Sequence, residues 1–218
     1  MEDRLTPILQ LELCDLAPEV WLRERGGALL ALGGALRVSA WTNCAPGRSD
    51  LPRTLPEFRT LGVVEAQARF ASPAAPPGVA VHQFRQVRPG QGVLTGRPTC
   101  GLELVLISPK SEVGAQALRD WADFVHIRHI AAAAVPGFTL ITPYENVHAG
   151  RPRFLHFYEM DTEAAEETFQ RMTPATLARL PEKAERRAWV GHPELVIDYV
   201  STFRFAGDRG GGEGRDVL

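Results

Sequence analysis

Histidine, tyrosine and carboxylate side chains fall at helical and strand spacings in the second half of this chain, and these are the places where it could do chemistry. Asp123 and His126 stand three residues apart in RDWADFVHIRHI, a spacing that makes them neighbours on a helix surface. A carboxylate beside an imidazole whose ordinary pKa is about 6.5 makes a usable general base or acid. The plainer alternative is a solvated face with an incidental contact. At about 100° per residue the apolar side of this helix is Ala117, Leu118, Trp121, Phe124, Val125, Ala132 and Val135, and His126 lies roughly 140° from its centre. Ile127 and Ile130 share the histidine's side, so that side is expected to be partly covered.

A second group lies in PRFLHFYEM. Strand alternation puts Phe154, His156 and Tyr158 on one face and Leu155, Phe157 and Glu159 on the other. A histidine and a tyrosine beside aromatic bulk suit a cavity that binds an apolar ring and moves a proton. A core histidine bonded to its neighbours is the alternative, and alternation alone does not say which face looks inward. His126 and His129 form an HxxH pair, but no HExxH-type glutamate accompanies it, so no metal is expected. RPGQGVLTGRPTCG (88–101) is glycine-rich yet matches neither phosphate-loop pattern, and it reads as a linker or as a flap over a cavity mouth.

The elements that must position these residues recur. Strands are expected at 8–14, 35–43, 61–70 and 79–87, with a helix over 18–32 weakened at Gly26-Gly27 and ended by Gly33-Gly34. The order returns with strands at 101–107, 138–146, 153–160 and 194–205. A helix is expected over 112–134 and another over 162–180, the latter broken near Thr173-Pro174 because proline removes a helix donor. Glu182 to Arg187 reads as a solvated helix or loop. GGALRVSAWTN (33–43) matches PGFTLITPYEN (136–146) without a gap, pairing Trp41 with Tyr144. LGVVEA matches LHFYEM, pairing Gly62 with His156 and Val64 with Tyr158. Trp21 and Trp121 sit at comparable points of the two helices, and His126 then corresponds to Gly26. An internal repeat of this kind means two copies of one supersecondary unit. The second copy runs β-α-β-β-α-β, the ferredoxin-like order. The polar set belongs to the second copy alone, which implies one site per chain.

With these residues in view, WADFVHIRHI, then VPGF, then a tyrosine strand, then PRFLHFYEMD resembles the EthD-like branch of the dimeric α/β-barrel superfamily. Asp123, His126, Val135-Pro136-Gly137, Pro152, Phe154, Leu155, Tyr158 and Glu159 occupy that branch's pattern. Val125 stands where an acid is the rule, and the stretch from His126 to Pro136 is about two residues longer. The resemblance implies two sheets that face each other and close into a barrel, and it raises His126 above the other five histidines. The superfamily includes isomerases, cyclases, cofactor-free monooxygenases and haem-binding members, so the fold alone is weak evidence for a reaction.

Composition narrows the classes further. The chain has 218 residues, 44% hydrophobic and 23% charged, with a formal net charge of -2, which offers no general attraction to nucleic acid or to an anionic membrane. Three widely spaced cysteines, Cys14, Cys44 and Cys100, include no CxxC pair and are expected as free thiols in a cytoplasmic protein. The expectation is therefore an α+β protein of two tandem ferredoxin-like repeats forming an α/β barrel with antiparallel sheets. The first repeat would span 1–88, a linker 89–100, the second, EthD-like repeat 101–206 and a flexible tail 207–218. The barrel cavity would hold a small apolar organic molecule for acid–base chemistry of the cyclisation, dehydration or isomerisation type, with no cofactor. His126, Asp123, His156 and Tyr158 would be catalytic; Tyr144, Trp121, Phe154 and Trp41 would bind substrate. A homodimer is compatible with this reading. The rivals are a non-catalytic ligand-binding or assembly protein and, third, a haem protein with a histidine as axial ligand.

Overall fold

The computed structural model describes residues 6–210. The first half supplies β1 (Ile8–Cys14), β2 (Arg37–Asn43), β3 (Thr60–Ala66) and β4 (Ala80–Gln86). A two-residue β5 (Gln91–Gly92) follows, and then β6 (Gly101–Pro109), β7 (Phe138–Asn146), β8 (Phe154–Met160) and β9 (Leu195–Gly210). Each half orders its strands alike, β4-β1-β3-β2 and β9-β6-β8-β7, which is the ferredoxin-like arrangement used twice. The halves join edge to edge at both sides, β2 to β9 and β4 to β7, and every pairing is antiparallel. The two facing sheets thus become one closed barrel of eight strands, with β5 laid against the edge of β7. Closure removes the free strand edges that would otherwise invite pairing with another chain.

The barrel interior follows from alternation. Leu9, Leu11 and Leu13 of β1 and Leu102, Leu104 and Leu106 of β6 pack there against Phe84, Phe157, Tyr199 and Phe203. Each such burial contributes about 1.5–3 kcal/mol. The alternate residues of each strand face outward, towards helices. In the first half these are α1 (Pro18–Trp21) and α2 (Gly27–Ala31), joined by a π-helical turn over Leu22–Gly26. In the second half α3 (Ala115–Trp121) and α4 (Ile127–Ala133) flank a π-helical turn over Ala122–His126. The repeat therefore extends to the backbone irregularity, which follows the paired tryptophans directly in both halves. The Gly26-Gly27 pair does not interrupt its helix. Gly26 allows close packing instead, since a Cβ there would lie 3.1 Å from Val38 Cγ2.

The second half adds α5 (Ala165–Ala178) and α6 (Lys183–Val190) over the sheet, where the first half has only an irregular connection between β3 and β4. The expected break at Thr173-Pro174 does not occur: α5 runs through Pro174. Met172 and Thr176 are buried on either side of the proline, and that packing outweighs the one helix bond it removes. β9 is longer than expected and pairs Gly207 and Gly210 with Ala40 and Arg37. The first four residues of the expected tail are thus strand, and 211–218 lie outside the described residues. Among the described residues no disulfide joins Cys14, Cys44 and Cys100 to one another. No helix among the described residues is long and apolar enough to cross a membrane.

Candidate active site

The site is built on the outward face of the second half. On β8, Leu155 and Phe157 enter the barrel core, which turns Phe154, His156 and Tyr158 towards the helices. On β6, Leu102, Leu104 and Leu106 point inward, and Glu103, Val105 and Ile107 point the other way. The helix above departs from an even wheel. Its buried apolar positions run Leu118, Ala122, Ile127, Ile130, and the five-residue step from Ala122 to Ile127 is the π turn, which carries one extra residue. That turn re-aims the surface. Phe124 and Ala117, expected on the apolar side, are exposed, and Asp123 is buried.

Between sheet and helices lies a cavity of about 250 Å³, walled mostly by apolar side chains of β6, β9, α5 and α6. Glu103, His126, His156 and Tyr158 open onto it together, with Trp121 and Trp189 at its rim. The two candidate histidines therefore share one pocket, and that pocket lies outside the barrel rather than within it. The barrel interior is filled, and a space of about 30 Å³ remains beside Trp41 and Tyr144. Tyr144 donates its hydroxyl proton to the Thr6 carbonyl at 3.0 Å, and Trp41 donates to Ser39 Oγ at 2.9 Å. Neither residue reaches the cavity. Phe154 packs with Ile107, Leu118 and Ala122 beneath the Arg119 guanidinium and is also away from it.

The pairing inside the site differs from the expected one. Asp123 does not orient His126; its Oδ1 lies 3.2 Å from His156 Nε2, and both residues are buried. Arg88 Nη1 sits 3.1 Å from Asp123 Oδ2, while its Nη2 donates to Asp120 and the guanidinium covers the Phe124 ring. A carboxylate accepts, so His156 donates through Nε2, which leaves Nδ1 as the nitrogen that can hold a lone pair, and Nδ1 has no partner among the described residues. An arginine-held carboxylate that fixes the tautomer of an imidazole is the arrangement of a general base.

His126 is held differently. Its Nδ1 donates to the Trp189 carbonyl at 3.0 Å, and Trp189 Nε1 returns a bond to the His126 carbonyl at 3.1 Å. The ring stacks on Trp189 at 5.2 Å and 9°, with Trp121 on another side at 5.0 Å. This enclosure depresses the imidazole pKa to about 4, burial being the main cause and His156 and His129 adding to it. Neutral His126 thus offers Nε2 as a hydrogen-bond acceptor and is a weaker base than an ordinary histidine. Tyr158 stays a neutral phenol, its pKa pushed well up by burial and by Glu103. Glu103 itself is buried and pushed up to about 8, mainly by desolvation.

Sequence reasoning missed three members of this site. Glu103 is hidden in the apolar run GLELVLI, Trp189 follows a charged stretch, and Arg88 opens the apparent linker. The repeat pairing of Tyr158 with Val64 pointed to the right strand, but no local pattern marks its partner across the sheet. No group of three or more His, Cys, Asp or Glu side chains among the described residues could hold a metal ion.

Fold and strand order together define a dimeric α/β barrel closed within a single chain, with its pocket between one sheet and its helices. Comparison with solved structures agrees on the fold. An anthrone oxidase-like protein superposes with a TM-score of 0.52 at 15% identity, covering 97% of this chain and 96% of that one. A candidate monooxygenase from Fusobacterium nucleatum subsp. nucleatum superposes with a TM-score of 0.52 at 7% identity, over 96% and 97% of the two chains. A mutant chlorite dismutase from Candidatus Nitrospira defluvii in complex with cyanide gives 0.49 at 15% identity, over 95% and 96%. No family model matches the chain, and no curated protein matches it.

Proposed function

We propose that this chain is a cofactor-free enzyme that removes a proton from a small, mostly apolar organic molecule held between the second-half sheet and its helices. The observation that carries this reading is the buried contact of 3.2 Å between His156 Nε2 and Asp123 Oδ1 at the wall of an otherwise apolar cavity. Asp123 stabilises the imidazolium that forms when His156 Nδ1 takes the proton. Neutral Tyr158 and the ring of His126 orient the substrate's polar edge, and Trp121 and Trp189 flank it. Proton removal from carbon is the step shared by cyclisation, dehydration, isomerisation and cofactor-free oxidation, and the resemblance to an anthrone oxidase-like protein favours a fused-ring ketone. The barrel closes without a second copy, so a homodimer would not be needed to complete the site.

The haem reading fits less well. His126 has the free ring nitrogen an axial ligand needs, but the cavity of about 250 Å³ has no Lys or Arg in its lining to meet the two carboxylates of a haem. A space just below the roughly 300–1,000 Å³ usual for drug-sized ligands suits a small two-ring molecule rather than a macrocycle. The test uses β-tetralone, an enolisable two-ring ketone, in heavy water, with exchange of its acidic C–H followed by proton NMR. The wild-type chain should accelerate the exchange, and His156→Gln should return it to the uncatalysed rate. Exchange no faster than in buffer, or a pigmented protein absorbing near 400 nm as purified, would refute the proposal.

A further inference from the structure

We infer that Glu103 is the acid of this site: it donates a hydrogen bond, and then its proton, to a carbonyl oxygen of the substrate while His156 takes the carbon-bound proton. The inference rests on the reading of the cavity as a catalytic site and adds to it the substrate class, a cyclic ketone with an acidic C–H. Glu103 is 1% exposed and lines the cavity, and its Oε2 is buried with no hydrogen-bond partner among the described residues. The rest of the carboxyl also has none among the described residues. A buried carboxyl without partners is costly in the folded protein, and a ligand that accepts its proton would relieve the cost.

The surroundings explain why the group stays protonated. Arg48 and Glu166 are the charged side chains that face Glu103, and Tyr158 and Thr202 are its neighbours on the flanking strands. The one cation is already engaged. Arg48 pairs with Glu166 and with Asp50 and lies over the Phe169 ring at 4.4 Å. Thr202 donates to Glu166 at 2.6 Å rather than to Glu103. Desolvation outweighs the downward pull that Arg48 still exerts, and the negative charge of Glu166 adds to the rise, so the pKa is pushed up to about 8 and the neutral acid is favoured. A carboxylic acid kept neutral in an apolar pocket can serve as an oxyanion donor.

Position supports the pairing with His156. Glu103 stands opposite Tyr158, and Val105 opposite His156. Glu103 and His156 are therefore diagonal neighbours on one face, with backbones about 7–8 Å apart, which leaves room for one ring between acid and base. In the step, His156 Nδ1 takes the C–H proton and that electron pair becomes the C=C bond of an enol. The carbonyl π pair takes the Glu103 proton, leaving Glu103 as the carboxylate and His156 as the imidazolium. Return of the two protons, at the same carbon or at another conjugated one, restores both groups.

The deciding experiment measures β-tetralone affinity by quenching of tryptophan fluorescence, since Trp121 and Trp189 border the cavity, and reads exchange in parallel. Wild-type affinity should fall as pH rises through about 8 and the donor ionises. Glu103→Gln, whose amide still donates, should bind with no such pH dependence and exchange about 10²–10³-fold more slowly. His156→Gln should lose exchange but keep the pH-dependent affinity, which separates failure of the base from failure of the acid. Affinity independent of pH in the wild type, a pH dependence retained in Glu103→Gln, or no quenching at all would overturn the assignment of Glu103.

Discussion

The two halves of the barrel solve the same packing problem in opposite ways. In the first half the space between sheet and helix is full. Trp21 lies across Gly62, where a Cβ would meet its ring at 2.2 Å. Its indole N–H donates to Glu12, which also accepts from Gln10 and takes a bidentate guanidinium from Arg25. In the second half His156 stands at the place of Gly62, Val125 at that of Arg25, His126 at that of Gly26 and Glu103 at that of Gln10. Trp121 gives its N–H to the Ala188 carbonyl at the rim. One carboxyl group, Glu12, is saturated with donors, and the other, Glu103, has no hydrogen-bond partner among the described residues. A duplicated frame thus fills one copy and leaves in the other a space whose lining includes a carboxyl without a hydrogen-bond partner among the described residues, as the proposed ligand site requires.

The largest effect should come from breaking the filled half. Glu12→Ala leaves Arg25 buried without its partner, and loss of one member of a buried pair costs about 3–5 kcal/mol. Urea denaturation should show that loss with ligand binding intact in whatever remains folded. A cost under about 1 kcal/mol would mean that the pair does not hold the first half together.

The next effect sharpens the contrast between the two carboxyls. Glu103 is raised from 4.5 to about 8 on folding, so the native state binds the extra proton and stability falls as pH rises between those values. His126, depressed from 6.5 to about 4, works the other way and loses stability as pH falls from about 6.5 to 4. Above about 6.5 the histidine's remaining titration is small and is shared by the wild type and Glu103→Gln. Between there and pH 8 the wild type should lose about 2 kcal/mol, and Glu103→Gln should not. Equal slopes for both proteins would place Glu103 among ordinary, ionised carboxylates.

A smaller effect separates the two histidines. His126→Ala removes a ring stacked on Trp189 and the bond to its carbonyl, a loss of about 1–2 kcal/mol. The sequence wheel implied a smaller cost because it placed His126 on a solvated face. Exchange of β-tetralone should slow but persist, since His156 remains the base. Complete loss of exchange with unchanged melting would restore His126 as the proton acceptor.

Much of this frame can be read in the residues. Strict alternation in FLHFYEM and the gapless match of 33–43 to 136–146 are enough for two ferredoxin-like halves and for the facing of His156 and Tyr158. The π turn is not readable, because it is an inserted residue that no propensity marks, and it turns Asp123 from His126 to His156. Trp41 and Tyr144 were equivalent in the repeat and aromatic, yet equivalence says nothing about which side of a closed sheet is hollow. Here the barrel interior is packed by leucines, and the space lies outside. Glu103 and Arg88 join the site only through cross-strand register and the path of the linker, both of which are long-range.

The central claim is that the second half keeps this space open for a substrate where the first half fills it. Val105 is the counterpart of Glu12, opposite His156 on the cavity floor, so Val105→Phe fills the space with an apolar ring and leaves every proposed acid–base residue in the chain. The measurement is β-tetralone exchange by this variant beside its urea midpoint. Exchange should drop to the rate in buffer while the midpoint holds or rises. A variant that folds as well as the wild type and still exchanges β-tetralone at the wild-type rate would contradict the account.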